Sequence, residues 1–315
     1  MSVLILAGLK DIEIDAVAVR LNRRGSPFFR LNTFTIDCHQ YSQSWAHGHA
    51  RADALPFRVD EVTTVWNRLP INIRGYVTKD DPPPAAFVKE ECFWFLQNIG
   101  ALVPHARWIN PPVEEERANC KVRQLSLAQK VGLRVPRTLL SNDPLKIREL
   151  ANEVGTLVYK AIFHSGQITT GSDLAVYTTE LSASSLEHLS EIRTCPGFFQ
   201  AKIAKRSDLR VIVIGDRIFP VRIKSQEHPL SQIDWRRAPF DEVDCESCSL
   251  PLEVCDGIRQ MMAELGIVTA AMDFVEGTDG HLYFLEVNPG GRWLQFSART
   301  VEPIAEALVD CLVGR

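Results

Sequence analysis

Asp273, Glu286 and Asn288 are the residues whose types and spacing point most directly to chemistry. They lie in two apolar runs, Val268 to Phe274 and Leu282 to Asn288, separated by Thr278-Asp279-Gly280, the pattern of a β-hairpin. With Asp279-Gly280 as a two-residue turn, Thr278 pairs with His281 and Asp273 is placed directly opposite Glu286. Two facing carboxylates repel one another, a poor choice for a structural sheet unless a cation or a shared proton lies between them. Strand alternation puts Asn288 on the same face as Glu286. Two carboxylates and an amide oxygen are hard ligands of the kind Mg²⁺ takes, and Mg²⁺ usually fills its other positions with water and substrate phosphates. A nucleoside triphosphate is therefore the natural co-ligand.

Phosphates bridged by Mg²⁺ also need cationic side chains and backbone donors. Lys121, on a predicted helix, and Lys160, at the end of a predicted strand, are candidates. The polar loop between strands, with Ser165, Gly166, Thr169, Thr170 and Gly171, has the composition of a phosphate cover. Each of these is weak alone; their joint order along the chain carries the reading.

Several elements must position these groups. Val3 to Ala7, a helical pattern through Ile14, Val17, Ala18 and Leu21 ending at Gly25, and a strand at Phe28 to Leu31 predict a small parallel α/β layer. Gly8 stands alone with no GxGxxG after it, so this opening reads as scaffold rather than a dinucleotide site. A strand at Val62 to Trp66 and a helix at Ala85 to Ile99 follow, with Phe87, Trp94, Phe95 and Ile99 expected in the core. Asn110-Pro111-Pro112 marks a boundary. Beyond it, a helix carrying Lys121, short strands at Thr138 to Leu140 and Leu157 to Lys160, and paired antiparallel strands from Phe198 to Ile223 predict α+β architecture.

The 315 residues allow two or three domains, and the 45% apolar and 23% charged composition is that of a folded soluble protein. A net charge of −4 lacks the cationic excess of a nucleic-acid binder. No apolar run approaches the roughly 18 residues of a membrane span. The start carries no secretion signal, and the eight cysteines are scattered without a disulfide framework, so reduced thiols and a cytoplasmic setting are expected. Cys245-Glu-Ser-Cys248 with Cys255 has half of a zinc-site spacing and is read as a loop with thiols. His39, His47 and His49 are read as loop histidines, and no catalytic histidine is assigned.

Three segments resemble the ATP-grasp superfamily: Lys121-Val-Arg-Gln124 through Gly132-Leu-Arg-Val-Pro136, Asp208-Leu-Arg-Val-Ile-Val-Ile-Gly215, and Met272-Asp-Phe through Glu286-Val-Asn288-Pro. Within it the chain is similar to the MvdC/MvdD type, ligases that cross-link side chains of graspetide precursors such as microviridins. Val65-Trp66-Asn67-Arg68, Asp208-Leu209-Arg210, Phe219-Pro220-Val221-Arg222-Ile223 and Asp234-Trp235-Arg236 carry that finer likeness. It implies an α/β N-terminal (pre-ATP-grasp) domain over 1–110 and two α+β subdomains of an ATP-grasp fold over 111–195 and 196–315. It also implies a carboxylate-activating ligase using ATP and Mg²⁺, acting through an acyl phosphate on a ribosomal precursor peptide with leader and core. A free amino acid or small peptide substrate, or a non-catalytic nucleotide-binding role, are the alternatives. A homodimer is expected by analogy.

The same resemblance assigns Lys121 and Lys160 to phosphates and the segment with Gln200, Lys202 and Ile203 to the adenine hinge. Asp208 goes to the ribose, and Asp273, Glu286 and Asn288 to Mg²⁺. Arg210, Arg222 and Arg292 become candidates for the acyl phosphate. With Gly215-Asp216 as a two-residue turn, Arg210 faces Val221, and Arg222 reaches the same face only if a bulge forms at Pro220. The hinge reads Gln-Ala-Lys-Ile where many members have an acidic residue, and Asn67-Arg68-Leu69 stands where an aromatic and a double arginine are more usual.

Overall fold

The computed structural model describes residues 2–7, 11–32, 42–46, 49–54, 57–68, 82–162, 168–169, 173–174 and 177–315. The predicted phosphate-cover residues Ser165, Gly166, Thr170 and Gly171, and with them Gly8, His39, His47 and Leu69, lie outside those residues.

Strand β1 (Ser2–Ala7), helix α1 (Ile12–Arg23) and strand β2 (Phe28–Asn32) form the predicted opening unit. Asp11 caps α1, its carboxylate accepting from the Glu13 N–H at 3.2 Å. A hairpin of β3 (Ser42–Ala46) and β4 (His49–Ala54) precedes β5 (Val62–Asn67), helix α2 (Pro83–Asn98) and β6 (Arg107–Ile109). The four parallel strands run in the order β2-β1-β5-β6. One face packs on Phe93, Ile99 and Val103; the other, with Val3 and Ile5, packs on α1. Phe87 and Trp94, expected inside, are 63% and 55% exposed, because α2 turns Phe93 rather than Trp94 to the sheet.

Helices α3 (Pro112–Ala118) and α4 (Lys121–Lys130) lead to β7 (Thr138–Ser141), α5 (Pro144–Val154), β8 (Leu157–Lys160), the short pair β9 (Ile168–Thr169) and β10 (Asp173–Leu174), β11 (Thr179–Glu180), α6 (Ala183–Glu187) and β12 (Gly197–Ala201). A four-stranded antiparallel sheet β11-β8-β12-β7 results, its core of Leu157 and Phe199 covered by Ile147 and Leu150 of α5. The last layer holds β13 (Lys205–Ile214), β14 (Arg217–Ile223), β15 (Cys245–Ser247), α7 (Leu252–Leu265), β16 (Thr269–Gly277), β17 (Leu282–Asn288) and α8 (Ala298–Val313), with five antiparallel strands ordered β15-β14-β13-β16-β17.

Alternation along β13 separates two cores. Leu209, Val211 and Val213 face α7 and α4. Ile212 and Ile214 face α8, which is wedged between this sheet and the N-terminal layer through Ile304, Leu308 and Leu312. Helices α3 and α4 thus pack on the C-terminal sheet, although the sequence boundaries put them with the central subdomain. At the other end of β13, the face that holds Ile212 and Ile214 carries Asp208 and Arg210 instead, and there a cleft opens toward β8 and β12.

Candidate active site

The hairpin that carries Asp273 and Glu286 brings them opposite one another, as the sequence register required, but by another route. Gly277 pairs with His281, leaving a three-residue loop with Gly280 at φ +80°. This moves the register by one residue relative to a two-residue turn. A bulge at Leu285, between the Phe274–Phe284 and Asp273–Glu286 pairs, moves it back. Asn288 then lies opposite Ala271 on the same face, and its Nδ2 donates to Glu286 Oε1 at 3.0 Å and to Asp273 Oδ2 at 3.2 Å. The three predicted ligands therefore converge.

Cations hold the pair in place. Arg210, opposite Asp273 on β13, donates from Nη1 to both oxygens of that carboxylate at 2.9 and 3.0 Å. Its buried Nε has no hydrogen-bond partner among the described residues. Lys121 Nζ reaches Glu286 at 2.5 Å. That contact depends on Gln124, which is buried and clamps α4 to β17: its amide accepts from the Val287 N–H at 3.2 Å and donates to the Val287 carbonyl at 2.8 Å. Burial would push the Glu286 carboxyl up, but Lys121 and Asn288 outweigh it and hold the group well below the usual range. Burial, reinforced by the charge of Glu286, pushes Asp273 up against the opposing pull of Arg210. The site thus splits two facing carboxylates with fixed cations, and the donor set fits Mg²⁺: two carboxylates, plus an amide whose oxygen would join them on a half-turn about its terminal bond.

A cleft of about 380 Å³ adjoins this cluster. Lys121, Lys160, Gln200, Lys202, Ile203, Asp208, Asp273 and Glu286 all line it. Lys160 Nζ donates to Gln200 Oε1 at 2.9 Å, and Gln200 Nε2 donates to Thr138 Oγ1 at 3.0 Å, tying β8, β12 and β7 together at the cleft wall. Burial pulls the Lys160 ammonium down to about 8 although Glu286 opposes it. Asp208 is buried against Lys205 Nζ at 2.6 Å.

Arg222 does not join the site. β13 and β14 pair without a bulge from Asp208–Ile223 to Ile214–Arg217, so Arg222 lies opposite Leu209 on the other face, where it meets Glu276 at 3.2 Å and Glu246 at 3.4 Å. The side chain of Arg292 is exposed, and the part of that residue that touches the cluster is its carbonyl, which accepts from Arg210 Nη2 at 3.3 Å. Conversely, Asp234 and Arg236 line the cleft from the strap between β14 and β15. Their pairing at 2.6 Å, with the Thr178 N–H donating to Asp234 at 2.9 Å, ties that strap to the central sheet. Burial works against it, but Arg236 and the Thr178 N–H hold Asp234 down at about 2. The sequence signal for this pair was the Asp234-Trp235-Arg236 triplet, but its spacing alone gives no register to any strand.

No family model matches the chain. The structure superposes over 99% of its length on 96% of a RiPP-associated ATP-grasp ligase of Chryseobacterium gregarium solved with ADP and a leader and core peptide, at TM-score 0.83 and 22% identity, a likeness of fold. It matches the macrocyclase MdnB of Microcystis aeruginosa MRC over 99% of both chains at TM-score 0.78 and 29% identity. In sequence it is 25% identical over 218 residues, 65% of this chain and 68% of the relative, to a probable alpha-L-glutamate ligase 1 of Shewanella sp. (strain MR-4). The chain thus has the fold of ATP-grasp ligases, peptide macrocyclases among them, and within that fold Asp273, Glu286 and Asn288 come together beside the cleft.

Proposed function

We propose that the protein is an ATP-dependent, Mg²⁺-requiring ligase that forms ester or amide cross-links between side chains of a ribosomally made precursor peptide. The observation that carries this reading is the meeting of Asp273, Glu286 and Asn288 with Lys121 at the mouth of a cleft walled by Lys160 and Gln200. Mg²⁺ at those three side chains would neutralise and orient the phosphates; Lys121 and Lys160 would bind them beside it, with the Gln200 to Ile203 segment against the base and Asp208 toward the ribose. Arg210, which grips Asp273 through Nη1 and whose buried Nε has no hydrogen-bond partner among the described residues, would hold the activated carboxylate, with Arg292 next to it on the loop after β17. Peptide carboxylate attack on the terminal phosphate gives an acyl phosphate and ADP; displacement of phosphate by a hydroxyl or amine gives the cross-link. Arg222 is outside this assignment.

The match to a glutamate ligase favours a second reading, in which the acceptor is a free amino acid or short peptide. Incubation of the protein with ATP, Mg²⁺ and candidate precursors, read by mass spectrometry, separates them. Loss of one water per bond from a precursor supports the first; ADP release with glutamate and no change in any precursor supports the second. A homodimer in a cytoplasmic setting belongs to the same proposal, and light scattering of the purified protein tests the oligomer.

A further inference from the structure

The loop that follows the ligand strand is held mainly by the N-terminal layer. Asn110 Nδ2 donates to the Pro289 carbonyl at 3.4 Å, and Arg68 Nη1 donates to the Gly290 carbonyl at 3.2 Å. Glu13 Oε1 accepts from the Trp293 N–H at 2.8 Å and the Leu294 N–H at 3.5 Å. Arg68, whose side chain is 11% exposed, lies 5.7 Å from the Trp66 ring and donates to Asp11 at 2.9 Å and to Glu13 at 2.7 Å. Glu115, buried on α3, adds a third carboxylate to the field of that guanidinium, and its Oε2 has no hydrogen-bond partner among the described residues.

Three carboxylates around one buried guanidinium are a costly way to obtain stability, since an apolar cluster of equal volume does as well or better. What the guanidinium supplies, and apolar packing cannot, is a directed grip on the Gly290 carbonyl. The next residue transmits it. A Cβ on Gly291 would lie 2.2 Å from Ala271 Cβ and 3.0 Å from Arg210 Nη2, so the loop backbone rests directly on the arginine that holds Asp273. Among the described residues none before Lys121 lines the cleft, and there the N-terminal layer reaches the site through this loop.

We propose that Arg68 is a positioning residue for the metal site: gripping Gly290 from the N-terminal layer, it sets loop 289–294 against Arg210 and thereby the placement of Asp273 and Asn288. The inference rests on the ligase reading for the metal, and its test needs no peptide. ADP binding is measured by calorimetry with and without Mg²⁺ for the wild type, Arg68→Lys and Arg68→Ala. Arg68→Ala is expected to keep metal-free ADP affinity within about twofold and to lose about tenfold or more of the affinity gain that Mg²⁺ brings, with Arg68→Lys recovering part of it. If Arg68→Ala does not fold, Glu13→Gln replaces it, with faster amide exchange at Trp293 and a smaller Mg²⁺ gain expected. Wild-type protein with no Mg²⁺-enhanced ADP binding would defeat the ligase reading itself. A normal wild-type gain that persists in full in the folded variants, even with a lowered melting temperature, would overturn the positioning role and leave Arg68 a structural residue.

Discussion

At the scale of single residues, the site is a problem in charge. Asp273 and Glu286 face each other in a buried sheet, and the protein answers their repulsion with Arg210 on one side and Lys121 on the other. Replacing Glu286 by Gln keeps the volume but removes one anionic ligand. Ligation should be lost while the circular dichroism spectrum stays that of the wild type, and continued dehydration of a precursor by this variant would refute the metal assignment. Lys160 gives a pH-dependent expectation. With the ammonium lowered to about 8 by burial, it is charged at pH 7 and loses its proton as pH rises through 8, so kcat/KM for ATP should fall across that range. Lys160→Arg, charged throughout, should flatten the profile.

At the scale of elements, the final hairpin shows how much of the site was legible. Asp273, Glu286 and Asn288 were identifiable because period-two alternation is a local property, and the Asp273–Glu286 opposition was correct. The register arithmetic behind it was not, because a three-residue loop and a bulge at Leu285 cancel, and neither leaves a distinct mark in the residue types. The unbulged pairing of β13 with β14 likewise places Arg222 outside the site, a choice Pro220 left open. Two glycines separate turn geometry from site geometry. Gly280→Ala, at φ +80° with open space around it, should cost about 1 kcal/mol in urea unfolding and leave Mg²⁺-dependent ADP binding intact. Gly291→Ala, forced against Ala271 and Arg210, should cost roughly 1–3 kcal/mol and also weaken that binding.

At the scale of the whole molecule, α8 fills the space between the N-terminal and C-terminal sheets, so the two layers share one core. Ile304→Ala in the middle of it should destabilise the protein by about 2–5 kcal/mol, seen as a lower urea midpoint. The same junction buries Glu115, whose carboxyl is pushed up to about 7 by burial against the opposing charge of Arg68. Between the ordinary 4.5 of a glutamate and 7 the folded chain binds the proton that the unfolded chain has released, so this group's contribution to stability is present in full below 4.5 and is lost as pH rises through 7. Glu115→Gln should therefore flatten the dependence of unfolding free energy on pH over that interval, measured by urea titration at several pH values.

The sequence by itself determined the residue types, the strand and helix periods, and which side chains share a face within one element, because those follow from spacings of two and of three to four residues. That was enough to bring Asp273, Glu286 and Asn288 together and to propose Lys121 and Lys160 beside them. Tertiary structure alone decided that α2 exposes Phe87 and Trp94, that Asp234, paired with Arg236, is tied to Thr178 beside the central sheet, and that Arg68 grips a loop some two hundred residues downstream. Such contacts join segments far apart in the chain, and no local period encodes them; they exist only once sheet, helix and loop are packed against one another.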